Sequence, residues 1–144
     1  MSIFHDKLRV EFSDTDAAGI VHFANYFRYM ERVEHAFWRS LGLSVQSRVG
    51  GHEIGFPRVK VDCEFLAPVR FEDELDATLT LDELGTKSVT FHFEFHREQT
   101  LVARGRTIAV CCRVGPNGTM KSVEIPDSIR KPLTDFVQSR GTDA

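Results

Sequence analysis

The chain has 144 residues, 42% of them hydrophobic and 27% charged, and a formal net charge of −3. That is the size and balance of one ordinary globular domain spanning 1–144, large enough to bury a core. Weak acidity argues against nucleic acid as the main partner but allows a local basic patch, and no apolar run approaches the ~20 residues of a membrane span.

The first residues hold no basic segment followed by an apolar run, so no signal peptide is expected. Cys63, Cys111 and Cys112 form no Cys-x-x-Cys pair. They read as reduced packing residues of a cytoplasmic protein, with Cys111 and Cys112 on opposite sides of a strand. Leu8-Arg9-Val10-Glu11-Phe12 alternates apolar and polar, which predicts a strand over about 6–13. From Phe23 the pattern changes. Phe23, Tyr26, Phe27, Met30, Val33, Phe37 and Leu41 recur three or four apart, which predicts a helix from near Val21 to Leu41, stopped by Gly42. Trp38 lies beside this stripe. Glu31, Arg32, Glu34, His35 and Arg39 fall mostly off it, on a side expected to be wet or an interface edge.

Residues 43–55, with Gly50-Gly51 and Gly55, read as an irregular link that could act as a lid. Strand patterns follow at 56–65, 74–84, 88–97 and 101–114, with turns at Leu84-Gly85-Thr86-Lys87 and Arg97–Thr100. In 88–97 the alternation is clearest, with Val89, Phe91, Phe93 and Phe95 on one face. Ile129, Leu133, Phe136 and Val137 suit a short C-terminal helix within 126–138. One long apolar helix and about five antiparallel strands imply an α+β fold with the helix on one sheet face, where the phenylalanine row meets Phe27, Met30 and Phe37.

Between the first strand and the helix lies Ser13-Asp14-Thr15-Asp16-Ala17-Ala18-Gly19-Ile20-Val21-His22-Phe23. Two acids stand one residue apart, followed by small residues. A helix starting just beyond would aim free N–H groups and a positive dipole end at this loop. A carboxylate beside spare amides can attack a carbonyl, or direct water to it, while the amides hold the oxygen. The same residues also suit plain helix capping. The histidines at 5, 22, 35, 52, 92 and 96 form no metal-ligand spacing, and no Gly-x-Ser-x-Gly elbow or Walker glycine loop occurs.

Asp14-Thr15-Asp16-Ala17-Ala18-Gly19-Ile20-Val21-His22-Phe23-Ala24-Asn25-Tyr26 resembles the signature of the hotdog-fold acyl-CoA thioesterases of the 4-hydroxybenzoyl-CoA thioesterase type. The resemblance continues at Tyr29-Met30-Glu31-Arg32, Gly55-Phe56-Pro57-Arg58-Val59 and Asp62-Cys63-Glu64-Phe65-Leu66-Ala67-Pro68-Val69. It implies an antiparallel sheet wrapped around the long helix, and hydrolysis of an acyl-CoA without metal or redox cofactor. It aligns Asp16 with the family's nucleophile or general base, and Asp14 with an acid that shapes the loop. The backbone amides around His22 and Phe23 become the oxyanion donors, and the His22 side chain a pocket wall, with general base as its alternative. Tyr26, Asn25 and Glu31 become candidate substrate contacts, each with a plain packing, capping or ion-pair alternative. Lys87 and Ser88 match a nucleotide-facing turn. The Pro57–Phe65 strand region, with Pro57 and Val59, would supply the facing wall from a partner subunit of a homodimer or homotetramer. Two rivals remain: a hydratase or dehydratase of the same fold, and a noncatalytic acyl-CoA-binding domain.

Overall fold

The computed structural model describes residues 2–139. Nine strands and two α-helices follow one another as β1 (Phe4–Arg9), α1 (Asn25–Ser40), β2 (Ser47–Val49), β3 (His52–Gly55), β4 (Arg58–Phe65), β5 (Glu74–Leu84), β6 (Ser88–Arg97), β7 (Thr100–Val110), β8 (Cys112–Val114), β9 (Met120–Ser122) and α2 (Asp127–Gln138). The main sheet has the order β1-β5-β6-β7-β4 and every pairing in it is antiparallel. Its edges are β1 and β4. The architecture is mixed α+β, built of antiparallel sheets and two helices.

Helix α1 lies on one face of this sheet because that face carries the phenylalanine row. Phe37 meets Phe91 edge-on at 5.5 Å, and Tyr26 meets Phe95 at 6.0 Å. Met30 lies so close to β7 that only glycine fits beneath it: a Cβ on Gly105 would stand 2.9 Å from the Met30 sulfur. The buried stripe is turned from the expected one. Tyr29 and Trp38 are fully inside, whereas Phe23 and Phe27 are exposed. Trp38 packs on Phe56 and Phe91 within the chain.

Several expectations need correction. The helix starts at Asn25, not Val21, because Ile20 and Val21 are drawn into isolated bridges with Arg70 and Thr15, and the Val21 N–H donates to Val69 O. It ends at Ser40 in a Schellman-type turn: Gly42, at φ +75°, donates to Arg39 O, and Leu43 donates to Trp38 O. The first strand stops at Arg9, and Phe12–Asp14 coil into a 3-10 turn. Residues 43–55 are not an irregular link throughout. Gly50 and Gly51, both at positive φ, make the two-residue turn of a β2–β3 hairpin. The last long strand breaks at Cys111, whose N–H turns to Lys87 O, and β8 then joins a second sheet of order β2-β3-β8-β9. Glu34 is not on a wet side: its side chain is 1% exposed. Its carboxylate accepts from Arg58 at 2.9 Å and from Trp38 Nε1 at 3.1 Å. No described helix is long and apolar enough to cross a membrane.

Candidate functional site

The loop between β1 and α1 folds as a doubled ribbon. Thr15 bridges Val21, the Asp16 N–H donates to Ile20 O at 2.9 Å, and the His22 N–H donates to Asp14 O at 2.9 Å. Ala17, Ala18 and Gly19 form its tip, where Gly19 takes φ +79°. The ribbon turns Asp16 toward a cavity of about 410 Å³, bounded by Phe23 and Tyr26 at the start of the helix and by Phe65, Leu66 and Pro68 after β4.

Asp16 is half-buried. Its Oδ1 accepts the Ala18 N–H at 2.9 Å, which pins the carboxylate within its own turn. Its other oxygen has no hydrogen-bond partner among the described residues. The two amides expected at the oxyanion position differ. That of His22 is engaged with Asp14 O, whereas that of Phe23 makes no hydrogen bond among the described residues. The His22 ring is exposed and stacks on Phe23 at 4.6 Å, and Nδ1 accepts the Ala24 N–H at 3.3 Å, so it is not part of the cavity wall.

Tyr26 does line the cavity. Burial, assisted by the nearby Cys63, pushes its phenol up to about 12, so it stays a neutral donor at any physiological pH. Asn25 serves the loop instead: its Nδ2 donates to Asp14 O at 2.8 Å. Asp14 shapes the loop through its side chain as well, since Oδ2 accepts from the Glu11 N–H at 2.9 Å and from the Tyr29 hydroxyl at 2.8 Å. Glu31 stands farther along the helix, 3.6 Å from Arg58. It borders a second hollow of about 340 Å³ with Phe27, Val61 and Thr107.

Pro57, Val59, Lys87 and Ser88 are not brought to Asp16 within one chain. Val59 stands six residues from Phe65 along β4, about 20 Å at the rise of a strand. Ser88 starts β6, while Arg97 at its other end is the one that reaches Pro68 O (2.7 Å) and Asp73 beside the loop. Lys87 and Asp16 therefore lie at opposite ends of the sheet.

Sequence reasoning missed Tyr29 as a loop anchor; it expected the Pro57–Phe65 strand as the facing wall, which holds for Phe65, but missed Leu66–Val69 and that this wall comes from the same chain. Tyr29 lies within the Tyr29-Met30-Glu31-Arg32 stretch that resembles the family, which marks the segment without giving the hydroxyl a partner. The wall had a signal, an Ala-Pro step after an apolar strand, which reads as a bend without saying what it faces. Among the described residues no group of three His, Cys, Asp or Glu side chains is placed to hold a metal ion.

The model of the thioesterase-like superfamily matches residues 10–133. A 1,4-dihydroxy-2-naphthoyl-CoA hydrolase from Synechococcus is 31% identical over 134 residues, covering 87% of this chain and 84% of that protein. The acyl-CoA thioester hydrolase YbgC of Escherichia coli is 30% identical over 129 residues, 89% of this chain and 93% of the relative. The solved structure of BH1999, a gentisyl-coenzyme A thioesterase, superposes with a TM-score of 0.76 at 32% identity, covering 92% of this chain and 99% of that one. With the sheet order, the central helix and the Asp16 loop in place, the chain belongs to the thioesterase-like superfamily and has its hotdog fold.

Proposed function

We propose that this protein hydrolyses an acyl-CoA to the free acid and CoA, with Asp16 as nucleophile or general base. One observation carries the reading: a single cavity is lined by Asp16, half-buried with one oxygen unpartnered among the described residues, by Phe23, whose amide is unengaged among them, and by an apolar wall. With Asp16 as base, its free oxygen takes a proton from water and the hydroxide adds to the thioester carbon. The carbonyl electron pair moves onto oxygen, where the Phe23 N–H holds it. Collapse of this intermediate expels CoA as thiolate, which then takes up a proton. With Asp16 as nucleophile, the same oxygen attacks directly and water later cleaves the acyl-aspartyl anhydride. Phe65, Leu66 and Pro68 exclude water from the acyl group, and the neutral Tyr26 hydroxyl offers a donor to it.

The site is completed by a second copy of the chain. Edge strand β4 leaves Val59 63%, Val61 39% and Phe65 50% exposed, an uncovered apolar edge of a kind monomers avoid. Antiparallel pairing of two β4 strands about their centres sets Phe65 of one chain beside the partner's Val59. The partner's Lys87 comes with it. Pro57 O accepts the Val110 N–H, and Val110 pairs with Ser88, so Lys87 sits only two strands, about 10 Å, from Pro57. A lysine remote from Asp16 in its own chain thus approaches the partner's cavity, where it can meet CoA phosphates.

The test is thiol release from a panel of acyl-CoA substrates. Asp16→Asn keeps shape and capping ability but loses the anionic oxygen. It should lower kcat by about 100-fold or more while circular dichroism is unchanged. Near-normal kcat in the folded variant would remove Asp16 from the chemistry.

A further inference from the structure

We infer that Tyr29 is a positioning residue: through Asp14, its hydroxyl holds the motif loop in the arrangement that presents Asp16 and the Phe23 amide to the cavity. The inference rests on the proposed hydrolytic site for its kinetic consequence, but not for the structural link itself.

Asp14 accepts four hydrogen bonds, and its own N–H donates a fifth to Glu11 O. Its Oδ2 accepts from the Glu11 N–H and the Tyr29 hydroxyl, and its backbone oxygen accepts from the His22 N–H and the Asn25 amide. Asp14 therefore ties the incoming arm of the loop to the outgoing arm and to the first turn of α1. The two groups proposed for the chemistry sit directly beside it. Asp16 is two residues from Asp14 on one arm, and Phe23 follows His22 on the other. Among these ties, Tyr29 alone comes from the packed core. It is 2% exposed and lies against Tyr26 at 5.7 Å and Phe95 at 6.3 Å. Burial and the adjacent Asp14 carboxylate raise its phenol well above the usual value, so it remains a donor at working pH. The other ties all lie within the loop or at its junction with the helix and move with it. Tyr29 thus fixes Asp14 to the helix–sheet core, while Val21 and Ile20 hold the outgoing arm to Val69 and Arg70, and removing the hydroxyl loosens the loop around Asp14 without opening a cavity of any size.

Both side-chain bonds end on the same oxygen, Oδ2. Asparagine at position 14 can place its carbonyl oxygen there and keep both, whereas alanine can keep neither. That sets a graded test on the full-length protein. Tyr29→Phe should speed amide hydrogen exchange at Glu11 and His22 by about 10-fold, with the amides of β6 unchanged. In the same variant kcat should fall by about 10-fold with KM within about twofold, because misplaced catalytic groups cost rate rather than binding. Asp14→Asn should stay near wild type in both readouts. Asp14→Ala should lose more, and adding Tyr29→Phe to it should change neither readout further, since the hydroxyl acts only through Asp14. Unaltered exchange at Glu11 and His22 in Tyr29→Phe would overturn the inference, as would full additivity of the two changes. Absence of thiol release from the wild type on every substrate would count against the hydrolytic reading alone, and the exchange measurements would still decide the role of Tyr29.

Discussion

The ion pair of Glu34 and Arg58 offers the sharpest test of how α1 is fastened to the sheet edge. The Glu34 side chain is 1% exposed, and Arg58, at the head of edge strand β4, is 26% exposed. Replacing Arg58 with alanine leaves the Glu34 carboxylate buried with only Trp38 Nε1 as a donor. Breaking a buried pair from one side costs about 3–5 kcal/mol, and the partial exposure of Arg58 puts this case near about 3 kcal/mol, since water can partly replace it. For a chain of this length that corresponds to a fall in Tm of about 10 °C. Replacing both partners by apolar residues of similar volume, Glu34→Leu with Arg58→Met, removes the orphaned charge along with the pair. The double variant should recover to within about 1 kcal/mol of wild type. Urea melts of the single and double variants, all at one protein concentration so that assembly does not shift the midpoint, measure both quantities. An Arg58→Ala protein as stable as wild type would refute the reasoning, and so would a double variant less stable than the single one.

Other outcomes follow from features already described. Gly105→Ala should destabilise by about 1–3 kcal/mol in the same melts, because the new methyl would lie 2.6 Å from Asp62 O and 2.9 Å from the Met30 sulfur. Lys87→Ala should raise KM, weaken its dependence on salt and leave kcat nearly unchanged. Mixed dimers of Lys87→Ala with Asp16→Asn should regain sites of wild-type KM if the lysine acts on its partner's cavity, and should not if it acts within its own chain. The Tyr26 phenol, pushed up to about 12 by burial, stays protonated in the folded chain after an unfolded tyrosine has ionised near pH 10. Its contribution to stability is therefore fully present below about pH 10 and is lost as pH rises toward about 12. A Tyr26→Phe protein should lose that part of the alkaline slope in pH-dependent melts.

The elements most legible in the sequence are those with strict alternation and a single buried face. β5 and β6 occupy the residues their patterns predict, since one slip in register would turn every phenylalanine outward. The helix start was not legible. Phe23 continues the apolar spacing, yet Ile20 bridges Arg70 and the Val21 N–H donates to Val69 O, partners about 50 residues away that no local pattern announces. The β2–β3 hairpin was hidden because its two glycines suit a flexible link and a tight turn equally well. Glu34 looked like a solvated acid because its cation lies 24 positions away on another element. At the site, the motif marked the loop, but not which of its amides remains unengaged. That depends on how the two arms pair, and the ribbon takes up the His22 amide while leaving that of Phe23.

The turn carrying Lys87 is held from several sides. The Gly85 N–H donates to Ser88 O, the Cys111 N–H to Lys87 O and the Ile125 N–H to Thr86 O, and the Arg130 guanidinium of α2 reaches both Gly85 O and Thr86 O. The lysine thus projects from a backbone with little freedom left, and an anion meeting its ammonium has only the side-chain rotamers to immobilise. Helix α2 contributes to that restraint without approaching the ligand itself. Replacing Arg130 with alanine, which leaves Leu133 and the rest of the α2 packing in place, would release the Gly85 and Thr86 carbonyls and add the lost entropy to every encounter at Lys87.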